Sequence, residues 1–273
     1  MNYLPFGGLN PQDLTYLIYD PFNEASPIGL REDFKNEDLS HLKMFGFVKQ
    51  LLLDVSASKS IKLTVKGNLN RKFVHQLYAH RIITSKYIDD GTIKLLKEDD
   101  FYPIHFSHFI TKMAGLTRKY RNKLSLTKKG EKLLGDDTAI YLTLLKTYTT
   151  KFNWSYMTYD PDDVAQLGWA YSMLNFIRYG AEERKVDFYV DKYLEIFHEM
   201  LGEFPQNVHL SPEYRLSSCF KNRFFGRFCD LFGFAEERVE GEDILKRQFF
   251  VKKTPLVDKV FKIKKNALNF GMN

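Results

Sequence analysis

The chain lacks the features that define several large protein classes. It has two cysteines among its 273 residues, and Cys219 and Cys229 lie ten positions apart in one predicted helix, too far apart to bridge each other. It has no apolar run of about 18 residues, as a membrane-spanning helix would need. The first residues have neither the basic start nor the continuous apolar run of a secretory signal. These absences predict a soluble, cytoplasmic protein without disulfides.

Familiar enzyme motifs are also missing. The sequence contains no Gly-x-Gly-x-x-Gly, no Walker loop and no Gly-x-Ser-x-Gly. Acidic runs such as Asp89-Asp90 and Glu98-Asp99-Asp100 lie in predicted loops or caps, where carboxylates are common. A nuclease would need carboxylates and a lysine that converge on one site, whereas residues 182–185 are more typical of a solvated helix end. We therefore expect a binding protein rather than an enzyme.

The composition predicts two packed units. Apolar residues, with Tyr counted among them, make up 44% of the chain and include 24 Phe and 16 Tyr, so there is ample material for a packed interior. A chain of 273 residues is longer than a typical small domain. We expect a mainly α fold with small β-hairpins (α+β), divided into an N-terminal arm plus first domain (1–135) and a helical region plus second domain (136–273).

Positive charge is concentrated in three segments. The net charge is +6, but residues 59–81, 112–132 and 246–265 carry +6, +7 and +7, which leaves −14 for the rest of the chain. A single lysine run usually only solvates a surface. Three clusters on an otherwise acidic chain are typical of a surface that binds a polyanion.

Residues 101–134 change hydrophobic period twice. Apolar residues from Phe106 to Met113 recur at helical spacing, and Gly115 follows as a helix stop. Alternation in 117–120 and 123–127 then predicts two strands joined by a tight turn. Another helix begins after the hairpin. The segment is therefore predicted to form helix, hairpin and helix in succession.

The preceding residues supply a helix, a strand and a second helix. The helix is predicted over about 37–56, the strand over 60–64, and the second helix between Leu69 and Tyr78. A long loop, 80–100, follows and could hold an extra strand at 92–96. Together with the segment above, the order is helix, strand, helix, helix, strand, strand.

This order resembles a winged helix-turn-helix domain. The resemblance is carried by Gly115-Leu116 at the end of a helix, the basic hairpin and the motif Leu-Thr-Lys-Lys-Gly at 126–130. That motif and Leu-Thr-Val-Lys-Gly at 63–67 also resemble segments of an uncharacterised bacterial family, partly plasmid-borne, over about residues 25–150. The family resemblance implies the same winged-helix architecture and no established activity.

The C-terminal half repeats part of this pattern. Residues 136–204 are expected to be helical throughout, with a helix start at 160–163. An aromatic helix is predicted from Pro212 to Gly233, with Ser211 as its cap, just as Asn10 is the predicted cap of a short helix near residues 11–19. A hairpin with an acidic tip and a helix from Pro255 follow the aromatic helix. We interpret 163–265 as a second, degenerate winged helix. Its acidic tip favours packing or homodimerisation over phosphate binding.

The winged-helix resemblance implies a set of DNA-binding residues. The helix residues expected to face outward into a major groove are His105, His108, Thr111 and Lys112. The hairpin and neighbouring residues expected to contact phosphates are Arg118, Lys119, Arg121, Lys123, Lys128, Lys129, Lys66, Arg71 and Lys72. The function expected is a regulator or plasmid accessory factor that binds double-stranded DNA. The alternative is a protein-interaction scaffold that uses the same helix and hairpin to contact an acidic partner.

The same predicted helix carries two histidines that could bind a metal ion. His105 and His108, three residues apart, could share an ion, but a site needs a third or fourth ligand. Asp99 and Asp100 are near in sequence and no cysteine is. We therefore predict no metal site and no cofactor.

Overall fold

The computed structural model describes residues 8–35, 39, 41–156, 158, 160–205, 210–242 and 247–264. Its helices are α1 (Pro11–Tyr19), α2 (Lys43–Ala57), α3 (Arg71–Ala79), α4 (Lys86–Asp89), α5 (Tyr102–Met113), α6 (Lys128–Leu133), α7 (Asp137–Thr150), α8 (Trp169–Tyr179), α9 (Val186–Phe197), α10 (Pro212–Phe220), α11 (Asp230–Phe232) and α12 (Pro255–Val260). Its strands are β1 (Ile28–Leu30), β2 (Ile61–Lys62), β3 (Thr117–Tyr120), β4 (Lys123–Leu126), β5 (Arg184–Lys185), β6 (Ala235–Glu240), β7 (Gln248–Lys253) and β8 (Phe261–Ile263). This bears out the expectation of mixed α and β structure with small antiparallel sheets. None of the helices in the described ranges has the length and apolar character needed to cross a bilayer.

The described residues fall into two compact units. Residues 35–152 form the central unit, and the residues before 35 and after 152 together form the terminal unit. This division differs from the expected boundary after residue 135. The N-terminal arm joins the C-terminal half because β1 pairs antiparallel with β8, with Ile28 opposite Ile263, and because α1 packs on α8. Helix α7 joins the central unit because it packs on α5.

The central unit places a three-stranded antiparallel sheet beside a helical core. The strand order is β2-β4-β3, so the last strand in sequence lies in the middle. The hairpin was expected at these positions, and α2 supplies buried core residues along the predicted face. Residues 36–38 and 40, where the first helix was expected to begin, lie outside the described part of the chain. The 80–100 loop contains α4 and a 3-10 turn, Glu98–Asp100, rather than a strand at 92–96.

The two Leu-Thr-x-Lys-Gly motifs have different structural roles. Gly67 lies in a turn with a φ of +91°, a conformation that favours glycine. Gly130 lies in the first turn of α6, directly against the carbonyl oxygen of Leu116. The Thr127 hydroxyl caps this helix by accepting from the Gly130 amide at 3.0 Å and donates to the Gly115 carbonyl at 2.6 Å. The second motif therefore fastens α6 to the end of α5.

We predict that Gly130→Ala destabilises the central unit by about 2 kcal/mol, because the added methyl group overlaps a backbone carbonyl that cannot move freely. Gly135→Ala is the matched control, since a methyl group there meets no atom within 4 Å. Urea denaturation of both variants measures the effect. Equal stability of the two variants would contradict the proposed contact.

The terminal unit follows the same order of elements. Helix α8, strand β5, helix α9, the aromatic helix and the β6–β7 hairpin succeed one another, and the sheet order is β5-β7-β6. As expected, Ser211 caps α10 by accepting from the Tyr214 amide. A π-helical segment, Lys221–Cys229, continues α10 into α11, and the chain then leaves the helix at Gly233 with a φ of +70°.

The aromatic helix is the core of the terminal unit. Phe220, Phe224, Phe225 and Phe228 have no solvent exposure. These side chains are therefore unavailable as a dimer interface, although homodimerisation itself stays a prediction. Cys219 and Cys229 on the same helix are buried and free, as their spacing predicted.

The expected helix start at 160–163 is wrong, and so is the expectation of continuous helix over 136–204. The described residues from 151 to 168 form turns, and α8 begins only at Trp169. The guanidinium of Arg223, which is 1% exposed, donates to the carbonyls of Asp160, Pro161 and Val164. These carbonyls are thus bound by a distant side chain rather than by amides four residues on.

Candidate nucleic-acid interface

Helix α5 is buried around most of its circumference, contrary to the prediction that it presents a polar face. His108 is 6% exposed and Thr111 is fully buried. His105 is largely covered, with 17% of its side chain exposed. Of the four helix residues predicted to enter a major groove, Lys112 alone is classed as exposed. The prediction is therefore wrong for His108 and Thr111.

The buried carboxylate of Glu98 explains the orientation of the two histidines. Its Oε2 atom accepts from His108 Nδ1 at 3.0 Å and from the Leu69 amide at 2.7 Å. His105 Nδ1 lies 3.0 Å from Asp99 Oδ1 and 3.7 Å from Glu98 Oε1. Burial alone would raise the pKa of Glu98, but the interactions with His105, His108 and the amide outweigh it and lower that pKa to about 2. A charged carboxylate in the interior needs such donors, and the Leu69 amide and His108 are the closest ones.

Thr111 is turned inward by hydrogen bonds at the start of the hairpin. Its hydroxyl donates to the Ser107 carbonyl at 2.7 Å, and it lies 3.2 Å from the Thr117 hydroxyl. A threonine whose hydroxyl is satisfied inside its own helix and neighbouring strand has no role in reading bases. Thr111 therefore links α5 to β3.

The exposed cations of the central unit lie instead on the outer face of its sheet. Lys62 in β2 is directly opposite Lys123 in β4, and Lys123 is opposite Tyr120 in β3. Opposed residues of antiparallel strands point to the same face, and alternate residues share it, so Arg118 lies on this face as well. The other side of the sheet carries Leu124, which is buried. We call Lys62, Arg118, Tyr120, Arg121 and Lys123 the basic sheet face.

The hairpin tip is held in a fixed conformation beside this face. Arg121 and Asn122 both have positive φ, at +45° and +57°. The Asn122 side chain donates to the Leu63 carbonyl at 2.9 Å, which ties the tip to the chain after β2. The Arg121 guanidinium lies 5.2 Å from the centroid of the Tyr120 ring, which is 60% exposed. The tip therefore presents an ordered cation and an exposed aromatic surface.

Further predicted cations lie next to the sheet. Lys119 points to the opposite face, where a Cβ at Gly67 would fall 2.5 Å from its ammonium nitrogen. Lys66 in the same turn is exposed. Arg71 and Lys72 are exposed in the first turn of α3, which has no acidic residue. The helix dipole disfavours cations at this end, and a bound anion would offset that cost.

The remaining two predicted residues lie at the start of α6. Lys128 is exposed. The Lys129 ammonium donates to the Ala114 carbonyl at 3.0 Å, at the end of α5. Lys129 therefore has a structural role as a cap for α5, a role that the sequence did not predict.

No acidic side chain in the described part of the chain compensates the charge of the basic sheet face. Among the described residues, no carboxylate lies within 4.0 Å of the cationic groups of Lys62, Arg118, Arg121 or Lys123. The terminal unit differs at the matching strand positions. There Arg238 forms ion pairs with Glu183 and Glu240. The two sheets share the same strand order. An exposed cation of the terminal sheet is paired with glutamates, whereas those of the central sheet have no such partner among the described residues.

The comparisons with known proteins agree in extent with the central unit. Residues 40–139 match the family model described as the Y4jL N-terminal domain. This match spans just over a third of the chain, from the residues before α2 into the start of α7. No curated protein and no solved structure gave a significant match.

Two residues of the basic sheet face and one buried structural residue were not identified from the sequence. Lys62 and Tyr120 were not selected, although the alternation within each strand places them on the polar face. Their proximity to Lys123 depends on strand order, which the local sequence does not specify. Glu98 was interpreted as a loop acid, because no local pattern identifies the histidines that surround it.

The burial of α5 leads to a prediction about stability. His108→Ala should lower the free energy of unfolding by about 2 kcal/mol, since it removes a buried partner of the Glu98 carboxylate. Lys112→Ala, on the exposed side of the same helix, should change stability by less than about 0.5 kcal/mol. Urea denaturation of both variants provides the measurement. A neutral effect of His108→Ala would mean that His108 does not support the interior carboxylate.

Proposed function

We propose that the chain binds double-stranded DNA through the basic sheet face of its central unit. The observation that carries the proposal is the row of Lys62 and Lys123 beside Arg118, without an acidic partner in the described residues. Unpaired cations on a fixed surface are suited to the phosphates of a polyanion. The exposed ring of Tyr120 adds a surface that can pack against sugars or bases.

The arrangement of elements supports a winged-helix interpretation of this unit. Its order is helix, strand, helix, helix, strand, strand when the short helix α4 of the 80–100 loop is set aside, and its sheet order is β2-β4-β3. In this interpretation the β3–β4 hairpin is the wing, which contacts phosphates and the minor groove. The proposed biological role remains that of a transcriptional regulator or a plasmid or mobile-element accessory factor.

The burial of α5 changes the proposed mode of binding. A recognition helix reads bases with exposed polar side chains, but His108 and Thr111 are buried. The exposed residues of the proposed interface are mainly cations, which contact phosphates without reading sequence. We therefore propose binding dominated by the DNA backbone, with strong salt dependence and modest sequence preference.

We predict that full-length protein binds a random duplex with an affinity that falls linearly on a log–log plot against salt. Lys62→Ala, Arg118→Ala and Lys123→Ala should each weaken binding and reduce the slope by about one, as expected for the loss of one phosphate contact. The combined replacement of all three by Glu should abolish binding. Fluorescence anisotropy at several salt concentrations measures these changes.

The control is a double variant of two exposed lysines outside the basic sheet face, Lys86→Ala and Lys94→Ala. It should retain the salt slope of the natural chain. Absence of binding to duplex DNA at low salt would refute the proposal. Competition by polyglutamate as strong as that by DNA would instead favour the alternative, a scaffold for an acidic protein.

A further inference from the structure

The start of α5 brings together side chains that the proposed DNA interface does not use. Glu98 and Asp99 come from the 3-10 turn before the helix, and His105 from the first turns of the helix itself. One oxygen or nitrogen atom from each of these residues lies within 4.8 Å of the other two. Carboxylate and imidazole donors are common ligands of divalent transition metals.

We propose that Glu98, Asp99 and His105 form a binding site for a divalent transition-metal ion, with zinc as the best fit. Zinc bonds to nitrogen and oxygen of about 2.0–2.2 Å place neighbouring ligand atoms of a tetrahedron about 3.3–3.5 Å apart. His105 Nδ1 is 3.0 Å from Asp99 Oδ1 and 3.7 Å from Glu98 Oε1. Shifts of less than about half an ångström would bring both pairs to that spacing.

The surroundings of Glu98 also fit a metal ligand. Its Oε2 atom accepts from the Leu69 amide at 2.7 Å and from His108 Nδ1 at 3.0 Å. Its Oε1 atom is 3.3 Å from the same His108 nitrogen and 3.7 Å from His105 Nδ1. Metal ligands are commonly oriented by such outer hydrogen bonds, and here His108 would be the positioning residue. Glu98 itself is 3% exposed, so its carboxylate is held in place before an ion arrives.

The site has both a route to solvent and an open position. The side chain of Asp99 is 40% exposed, whereas that of Glu98 is nearly covered. An ion can therefore enter from the Asp99 side. Three protein ligands leave a fourth tetrahedral position for water, as in zinc sites that are not purely structural. Bound metal would fasten the 98–100 turn to α5.

A single N–H group at His105 Nδ1 can donate to Asp99 at 3.0 Å, but it cannot serve Glu98 equally well. The nitrogen faces two carboxylates, and the 3.7 Å distance to Glu98 is too long for a good hydrogen bond. A divalent ion among the three groups would serve both carboxylates at once. His80 and Asp54 provide the contrast, since their 2.9 Å contact involves a single carboxylate.

The test uses full-length, tag-free protein that has been treated with chelator and dialysed against zinc. We expect one zinc ion per chain by elemental analysis, and an absorption spectrum of tetrahedral cobalt when Co²⁺ is used instead. Asp99→Ala and His105→Phe should each lower zinc affinity at least tenfold. His105→Phe keeps a ring beside Phe109, on which the imidazole is stacked. Asp99→Ala changes a partly exposed residue, so at least one variant is expected to fold.

His80→Phe is the control, because it removes a histidine from a simple histidine–carboxylate pair and should leave zinc binding unchanged. His108→Gln should weaken binding by about 10-fold to 100-fold if His108 orients Glu98. The proposal is overturned if no zinc is retained, or if Asp99→Ala and His105→Phe both bind zinc as the natural chain does. DNA binding is not needed for this test, so the two proposals can fail separately.

Discussion

The buried carboxylate of Glu98 helps to determine which side chains of the central unit are exposed on its surface. A charged group that is almost fully covered is tolerated only with donors around it, and it finds them in the Leu69 amide and in His108. This contact turns His108 inward, and Thr111 is turned inward by its own hydrogen bonds to Ser107 and Thr117. Helix α5, which the sequence predicts to contact DNA, is consequently a core helix. The cations available to a partner are then those of the sheet.

The same constraint links the two features that we propose for this unit. Because Glu98 lies between the start of α3 and the start of α5, it connects the elements on either side of the 80–100 loop. An ion at Glu98, Asp99 and His105 would strengthen that connection without occupying the basic sheet face. The metal site would thus stabilise the body of the unit, while the sheet remains free for phosphate.

Structure that depends on neighbouring residues, such as a helix cap, was predicted correctly from the sequence. Predictions were wrong where contacts between residues far apart in the chain determine the structure. Asn10 and Ser211 were expected to cap helices, and both side chains accept a hydrogen bond from an amide three residues later. The 160–163 segment has the same local signals, but the buried Arg223, some sixty residues later, binds its carbonyls and prevents a helix. The prediction for His108 was wrong for the same reason. Its polarity suggested exposure, but the Glu98 carboxylate from another turn gives it a buried partner.

The sequence alone selected only some of the residues that form the basic sheet face. The hairpin cations were identified because strand alternation and a turn are short-range patterns. Lys62 was missed because its position opposite Lys123 depends on β4 lying between β2 and β3. That strand order joins residues about sixty positions apart, and no spacing within either strand encodes it.

A comparison of the two sheets supports the proposal that the cations of the basic sheet face, which have no acidic partner among the described residues, bind an anion. In the terminal unit, Lys185 and Arg238 are both opposite Phe250, and both approach its ring. In the central unit the matching position of the middle strand is Lys123, directly opposite Lys62. Like charges opposed across strands destabilise a sheet. The terminal sheet avoids that repulsion with an aromatic ring and two glutamates, whereas in the central sheet no group of the described residues offsets it, and the anion that we propose as a partner would do so.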